Sequence, residues 1–233
     1  MEILITGANR GLGYELASEA AARGHHVWAG VRGPGSSADR LRALQEQYPQ
    51  GVTLLPLDVT DEQAVAYARE QVTKRTDAID VVINNAAILR GRDEKLEELD
   101  LEQVEESFQT NVYGPILVMK HFLPLLRKGK EQAVINISSE AGSLANAWAG
   151  DYSYGMSKAA LNMFTAQLRS LLVPHGFAVY AVHPGWIRTD MGGSEATGDA
   201  AESARSILDL AERKVVPEEG KWFVDKKGNP MKL

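Results

Sequence analysis

The sequence predicts a single doubly wound α/β domain: a parallel sheet of about seven strands with helices on both faces. Three observations carry this. Short β-branched apolar runs alternate with longer amphipathic stretches along the chain. The apolar runs are compact rather than alternating, as suits strands covered on both faces. A glycine-rich turn joins the first apolar run to the first amphipathic one.

The elements follow in order. Strands are expected at Glu2–Thr6, His26–Val31, 52–57, 79–84, 132–138 and 177–183, with a short seventh at 221–224. The first helix is expected over 12–23, where Leu12, Leu16, Ala17 and Ala20 recur at helical spacing. Thr60-Asp61-Glu62-Gln63 reads as a capping box, with the Thr60 hydroxyl and the Gln63 amide each meeting an orphan N–H. Long helices are expected over 104–127 and 154–172, the second ended by Pro174. The stretch from Gly33 to Ser37 reads as a loop too short to divide domains, and no linker or repeat interrupts the chain. The whole of 1–233 is therefore one domain, with a glycine-rich mobile loop at about 186–199.

Composition excludes several classes. A chain of 233 residues can bury a full core without covalent staples. It has no cysteine, which removes disulfides, thiolate nucleophiles and zinc–sulfur sites. The net charge of −6 is interspersed, unlike a nucleic-acid-binding face. No apolar run is long enough to span a bilayer, and Met1 to Ile5 lack a signal-peptide pattern, so a cytoplasmic protein is expected. The five histidines, at 25, 26, 121, 175 and 183, form no metal-ligand spacing, and no metal is expected. The acidic run 93–106 reads as a solvated helix face with its approach loop.

Chemistry concentrates in two motifs. The first is Thr6-Gly7-Ala8-Asn9-Arg10-Gly11-Leu12-Gly13, between the first strand and the first helix. Its glycines allow a tight turn and close approach to a pyrophosphate, which the helix N-terminal N–H groups would hold. An ordinary glycine-rich turn is the alternative. The second strand ends without the carboxylate that grips an NAD ribose, and Arg32 follows it. Arg32 and Arg10 converging there would bind a 2′-phosphate, which favours NADP(H); two solvated surface arginines are the plainer reading.

The second motif is Tyr154-Gly155-Met156-Ser157-Lys158, with tyrosine and lysine one helical turn apart. It follows a strand ending Asn136-Ile137-Ser138-Ser139, and ligands of doubly wound sheets bind at such carboxyl ends. A lysine cation and a nicotinium charge would draw the phenol pKa toward neutrality, making Tyr154 the proton donor to a carbonyl. A packed ring beside a solvated amine is the alternative. Tyr152 has no lysine at that spacing.

Together with Asn84-Asn85-Ala86-Ala87 and Pro184-Gly185, these motifs stand in an order and spacing that resemble the short-chain dehydrogenase/reductase family along nearly the whole chain. The segments His183-Pro184-Gly185-Trp186-Ile187-Arg188-Thr189-Asp190-Met191 and Gly220-Lys221-Trp222-Phe223 look most like those of C-factor- and sniffer-like NADPH-dependent carbonyl reductases. The resemblance implies a Rossmann fold with Ser139, Tyr154, Lys158 and Asn111 as catalytic residues. Ser139 would bond the substrate carbonyl, with Ser138 as the lesser choice. It further implies cofactor contacts from Gly7, Asn9, Arg10, Gly11, Leu12, Gly13 and Arg32. Asp58 and Val59 would lie near the adenine, Asn85 and Ala86 along the adenosine, and Ile187 and Thr189 beyond Pro184 and Gly185 at the nicotinamide. Asp58 reads equally well as a turn residue.

For Asn111 the sequence adds a physical reason. Pro115, four residues on, cannot donate a helical N–H to the Asn111 carbonyl, which is left free to hold a water bonded to Lys158. Trp148 and Trp186 either border the substrate pocket or pack normally.

The function expected is hydride transfer from NADPH to a small or medium aldehyde, ketone or quinone. The alternatives are an NADP(H)-binding sensor or signalling protein and an NAD-dependent alcohol dehydrogenase. A small-molecule carbonyl or alcohol is the expected partner, and the resemblance implies a homodimer or homotetramer through the long helices, with a monomer as the alternative.

Overall fold

A computed structural model of the chain describes residues 1–33, 39–92 and 94–233. Seven parallel strands form one sheet: β1 (Glu2–Thr6), β2 (His26–Val31), β3 (Val52–Pro56), β4 (Val81–Asn84), β5 (Ala133–Ile137), β6 (Ala178–His183) and β7 (Phe223–Asp225). Their order across the sheet is β3-β2-β1-β4-β5-β6-β7, so the winding reverses between β1 and β4. The expected sheet is present, with strands 3 to 7 trimmed or shifted by one or two residues at their ends.

Alternation along each strand explains how one sheet supports two cores. Ile3 and Ile5 of β1 face one side with Val27, Ala29, Val81 and Ile83; Leu4 faces the other with Trp28 and Val82. The first side is covered by α1 (Gly11–Ala22), α2 (Asp39–Gln47) and α7 (Ala200–Ala211). The second is covered by α3 (Glu62–Thr73), α5 (Gly114–Leu126) and α6 (Tyr152–Leu172). Phe122 and Leu126 of α5 are fully buried there, each burial contributing about 1.5–3 kcal/mol. Of the loop expected at 33–37, residues 34–37 lie outside the described residues, as does Asp93 of the acidic run.

Several local expectations are corrected. The helix expected at 104–127 is two helices, α4 (Leu101–Phe108) and α5, joined by a π-turn at Gln109–Tyr113 where the Gly114 N–H reaches back to the Gln109 carbonyl. Pro115 stands at the start of α5, where its missing N–H costs least, so the ladder widens before it. α6 starts two residues earlier than expected, at Tyr152.

Asp61, not Thr60, caps α3, accepting from the Gln63 N–H at 2.8 Å. Thr60 instead donates its hydroxyl to Asp58 at 2.7 Å, because that carboxylate is the stronger acceptor within reach. α2 and α7 were not anticipated. Among the described residues no helix is long and apolar enough to cross a membrane, and no cluster of His, Cys, Asp or Glu is arranged to hold a metal.

Candidate active site

A cavity of about 470 Å³ opens at the carboxyl ends of the strands, over the reversal between β1 and β4. It is lined by Gly7, Asn9, Arg10, Gly11, Leu12, Gly13, Arg32, Asp58, Val59, Asn85 and Ala86 on one side. Ser139, Tyr154, Lys158, Pro184, Gly185, Ile187 and Thr189 complete it on the other. Of the residues expected at the site, only Asn111 is not at its wall.

The phosphate end is built by close backbone packing. Gly7 has φ +66°, and a Cβ there would lie 2.9 Å from the Ala86 Cα. A Cβ on Gly13 would lie 2.2 Å from the Gly7 carbonyl oxygen. Asn85 holds this arrangement by donating to the Thr6 and Gly7 carbonyls at 2.9 and 3.2 Å, while the Thr6 hydroxyl accepts from the Asn85 and Ala86 N–H groups. The first turn of α1 has no side-chain cap and no acidic residue. Its orphan N–H groups and positive dipole end therefore face the cavity, a donor set suited to an anion.

Arg32 is exposed at the rim and has no ion pair with any described residue. Arg10 also lines the cavity, with its guanidinium paired with Asp190 at 2.6 Å. Asp58 lines the cavity, and its Oδ1 accepts the Thr60 N–H and hydroxyl as a turn residue's would.

At the other end, Ser138 and Ser139 follow β5 and both line the cavity. Ser138 is buried and donates to Asn162 of α6 at 2.6 Å. Ser139 faces the cavity as a hydrogen-bonding neighbour of the Tyr154 phenol. Tyr152 does not line the cavity.

Burial pushes the Tyr154 pKa up to about 12; the Ser139 hydroxyl acts the other way, Asp151 adds to the rise, and Arg92 opposes it. Burial alone pulls Lys158 down to about 7. Its ammonium nitrogen donates to the Ile137 carbonyl at 2.8 Å and lies 5.4 Å from the Tyr154 ring centre. The chain's own groups thus leave the phenol raised, because desolvation outweighs the charges around it.

Asn111 works from behind the wall. Its side chain exchanges hydrogen bonds with Ile88, both at 2.9 Å, and donates to Ser157 at 3.0 Å. Ser157 in turn donates to the Tyr154 carbonyl at 2.7 Å. The π-turn is thereby fastened both to the loop after β4 and to the helix carrying Tyr154 and Lys158.

Sequence reasoning missed Arg92, Glu140 and Asp151, all of which line the cavity. Asp151 precedes α6 with φ 48°, a left-handed conformation that costs a non-glycine residue about 1–3 kcal/mol. No spacing rule marks these residues; tertiary packing alone brings them in. Trp148 and Trp186 do border the cavity, each about half exposed.

A family model described as short chain dehydrogenase matches residues 2–200. C-signal of Myxococcus xanthus is 40% identical over 154 residues, covering 66% of this chain and 92% of that protein. The crystal structure of NADPH-bound carbonyl reductase from chicken fatty liver aligns with a TM-score of 0.89 at 32% identity, over 100% of this chain and 98% of that one. The carbonyl reductase Sniffer of D. melanogaster aligns with a TM-score of 0.89 at 29% identity, over 100% and 99% of the two chains. With its parallel sheet, its glycine cradle and this match, the chain belongs to the short-chain dehydrogenase family of oxidoreductases.

Proposed function

We propose that this chain is an NADPH-dependent carbonyl reductase acting on small or medium aldehydes, ketones or quinones. The observation that carries the reading is convergence: Ser139, Tyr154 and Lys158 share one cavity with the glycine cradle and Arg32. The residues fit a phosphorylated dinucleotide. Gly7 to Gly13 and the open N-terminus of α1 would hold its pyrophosphate, Arg32 and Arg10 its 2′-phosphate, and Ile187 and Thr189 its nicotinamide end. The carbonyl reductase of similar fold from chicken fatty liver was crystallised with NADPH bound, which supports the choice of cofactor. Bound there, the cofactor supplies hydride.

The protein residues supply position and a proton. The Ser139 hydroxyl would donate to the substrate carbonyl oxygen and fix its orientation. The raised pKa keeps Tyr154 protonated through neutral pH, so its hydroxyl would donate to the same oxygen and release its proton as negative charge develops there. Lys158, with its pKa near 7, is poised to gain charge when an anionic group enters the cleft, which would stabilise the resulting phenolate. The Asn111 carbonyl, at the widened π-turn, is the proposed route by which Lys158 exchanges protons with solvent. Mobility of the 186–199 loop and assembly into a homodimer or homotetramer through the long helices belong to the same reading.

The test is NADPH oxidation with a panel of quinones, dicarbonyls and aromatic aldehydes, with NADH as the second cofactor. Turnover should prefer NADPH and fall by about 10²–10⁴-fold in Tyr154→Phe with cofactor affinity retained. Tight NADPH binding without turnover on any substrate would instead favour a sensing or signalling role, the direction in which the similarity to C-signal points. Preference for NADH with oxidation of alcohols would make it an NAD-dependent dehydrogenase.

A further inference from the structure

We propose that Asp190 tunes cofactor selectivity by holding Arg10 away from the 2′-phosphate position, so that a 2′-phosphate must displace a carboxylate to recruit it. This rests on the NADPH reading above.

The two rim cations are not equivalent. Arg32 has no ion pair with any described residue, whereas Arg10 gives its Nη1 to Asp190 Oδ2 at 2.6 Å. These partners stand 180 positions apart, one in the glycine loop and one in the segment after β6, so the pair spans the mouth of the cleft. The two loops also meet beside it: a Cβ on Gly11 would lie 3.3 Å from the Thr189 methyl carbon.

The segment carrying Asp190 is folded on itself. The Gly193 N–H donates to the Thr189 carbonyl, the Trp186 indole donates to the Gly192 carbonyl, and the Arg188 N–H donates to the Gly198 carbonyl. From the opposite rim, Arg92 donates to the Met191 carbonyl at 2.8 Å. Two arginines from separate loops therefore tie adjacent residues of one strap across the cavity.

Exchange at Arg10 is inexpensive in one direction. The ion pair is exposed, with 62% of the Arg10 side chain and 74% of the Asp190 side chain in solvent, and pairs of this kind are weak and salt-screened. A phosphate beside Arg32 offers more charge and more acceptor atoms than one carboxylate, so it wins the guanidinium. A cofactor without that phosphate leaves the pair intact. Asp190 thus lowers affinity for the phosphorylated cofactor only. Breaking the pair also releases one of the two ties on the strap that carries Trp186, at the substrate end of the cavity.

Equilibrium titrations of NADPH and NADH against wild type, Asp190→Asn, Arg10→Gln and the double variant test this at low and high salt. Asp190→Asn should bind NADPH about two- to five-fold more tightly, the fold-change matching the worth of an exposed ion pair. Its NADH affinity should not change, the gain should shrink at high salt, and it should vanish in the Arg10→Gln background. A second readout uses the fragments 2′,5′-ADP and 5′-AMP. Only the first should alter Trp186 emission, taken as the difference from Trp186→Phe, and the change should disappear in Asp190→Asn. Unchanged or weakened NADPH binding, or an equal shift for both cofactors, would overturn the proposal. Binding of neither cofactor by wild type would remove the functional reading and this one with it.

Discussion

Lys158 and Arg23 are both cations drawn out of water, and the fold treats them oppositely. Arg23, at the end of α1, donates to Glu19, Asp209 and Glu212 at 2.9, 2.7 and 2.8 Å. Glu212 also contacts His25 and Lys214, both at 2.6 Å, so the α1–α7 seam is a network of alternating charge. Burial opposes the charge on Arg23, but the carboxylates outweigh it and raise its pKa. Lys158, in the cleft, has burial working against it with no resolved opposing cause, and is drawn down to about 7. The difference teaches what each region is for. Compensated charge holds two helices together, while uncompensated charge leaves a group whose protonation answers to whatever binds beside it.

The sharpest way to break this comparison is Lys158→Met. On the proposed function, turnover should fall by about 10²–10⁴-fold. The stability signature is independent of that function. Because the folded pKa lies below the ordinary lysine value of 10.5, the unfolded chain binds more protons between about pH 7 and 10. Wild-type stability should therefore climb with pH through that window relative to Lys158→Met, by up to about 1.4 kcal/mol per pH unit. That corresponds to a Tm difference growing by about 3–6 °C per unit in paired thermal melts, and parallel curves would contradict it.

Gly13→Ala tests the cleft by shape rather than charge. Its Cβ would lie 2.2 Å from the backbone oxygen of Gly7, so the loop must move. A loss on the order of 3 kcal/mol is expected, lowering Tm by about 6–12 °C and weakening cofactor binding in the same preparation.

Glu212→Gln tests the seam and should cost less, about 2 kcal/mol or 4–8 °C in Tm, without altering cofactor affinity. Burial works to raise the Glu212 pKa, but its bonds to His25, Lys214 and Arg23 prevail and hold it low. Its contribution is therefore present above the unfolded carboxylate value and lost as pH falls through the folded one. Acid denaturation of Glu212→Gln should accordingly begin from a lower plateau and fall less steeply than wild type. An unchanged acid limb would show that the network does not hold the seam.

Much of the fold is legible from local pattern. β1 and β2 fall on the ranges expected from their apolar runs, since strands buried on both faces read as compact apolar stretches. α7 was equally open to reading. Asp199 caps it by accepting the Glu202 N–H at 2.8 Å, a spacing visible in the sequence directly after the glycine-rich loop. The broken helix around Asn111 was only half legible. Pro115 announces a disturbance, yet widening into a π-turn depends on what the turn is fastened to, here Ile88 and Ser157.

The sequence by itself determined the sheet and its glycine turn, which follow from short-range periodicity and spacing, while most residues at its carboxyl edge were named through the family resemblance. Tertiary structure decided the electrostatics. It committed the Ser138 hydroxyl to Asn162, although both serines line the cavity. It also brought Arg92 and Asp151 beside Tyr154, raised the phenol, neutralised the lysine's advantage, and paired Arg10 with Asp190. These depend on distances between groups far apart in the chain and on their depth from water, quantities that no local pattern contains.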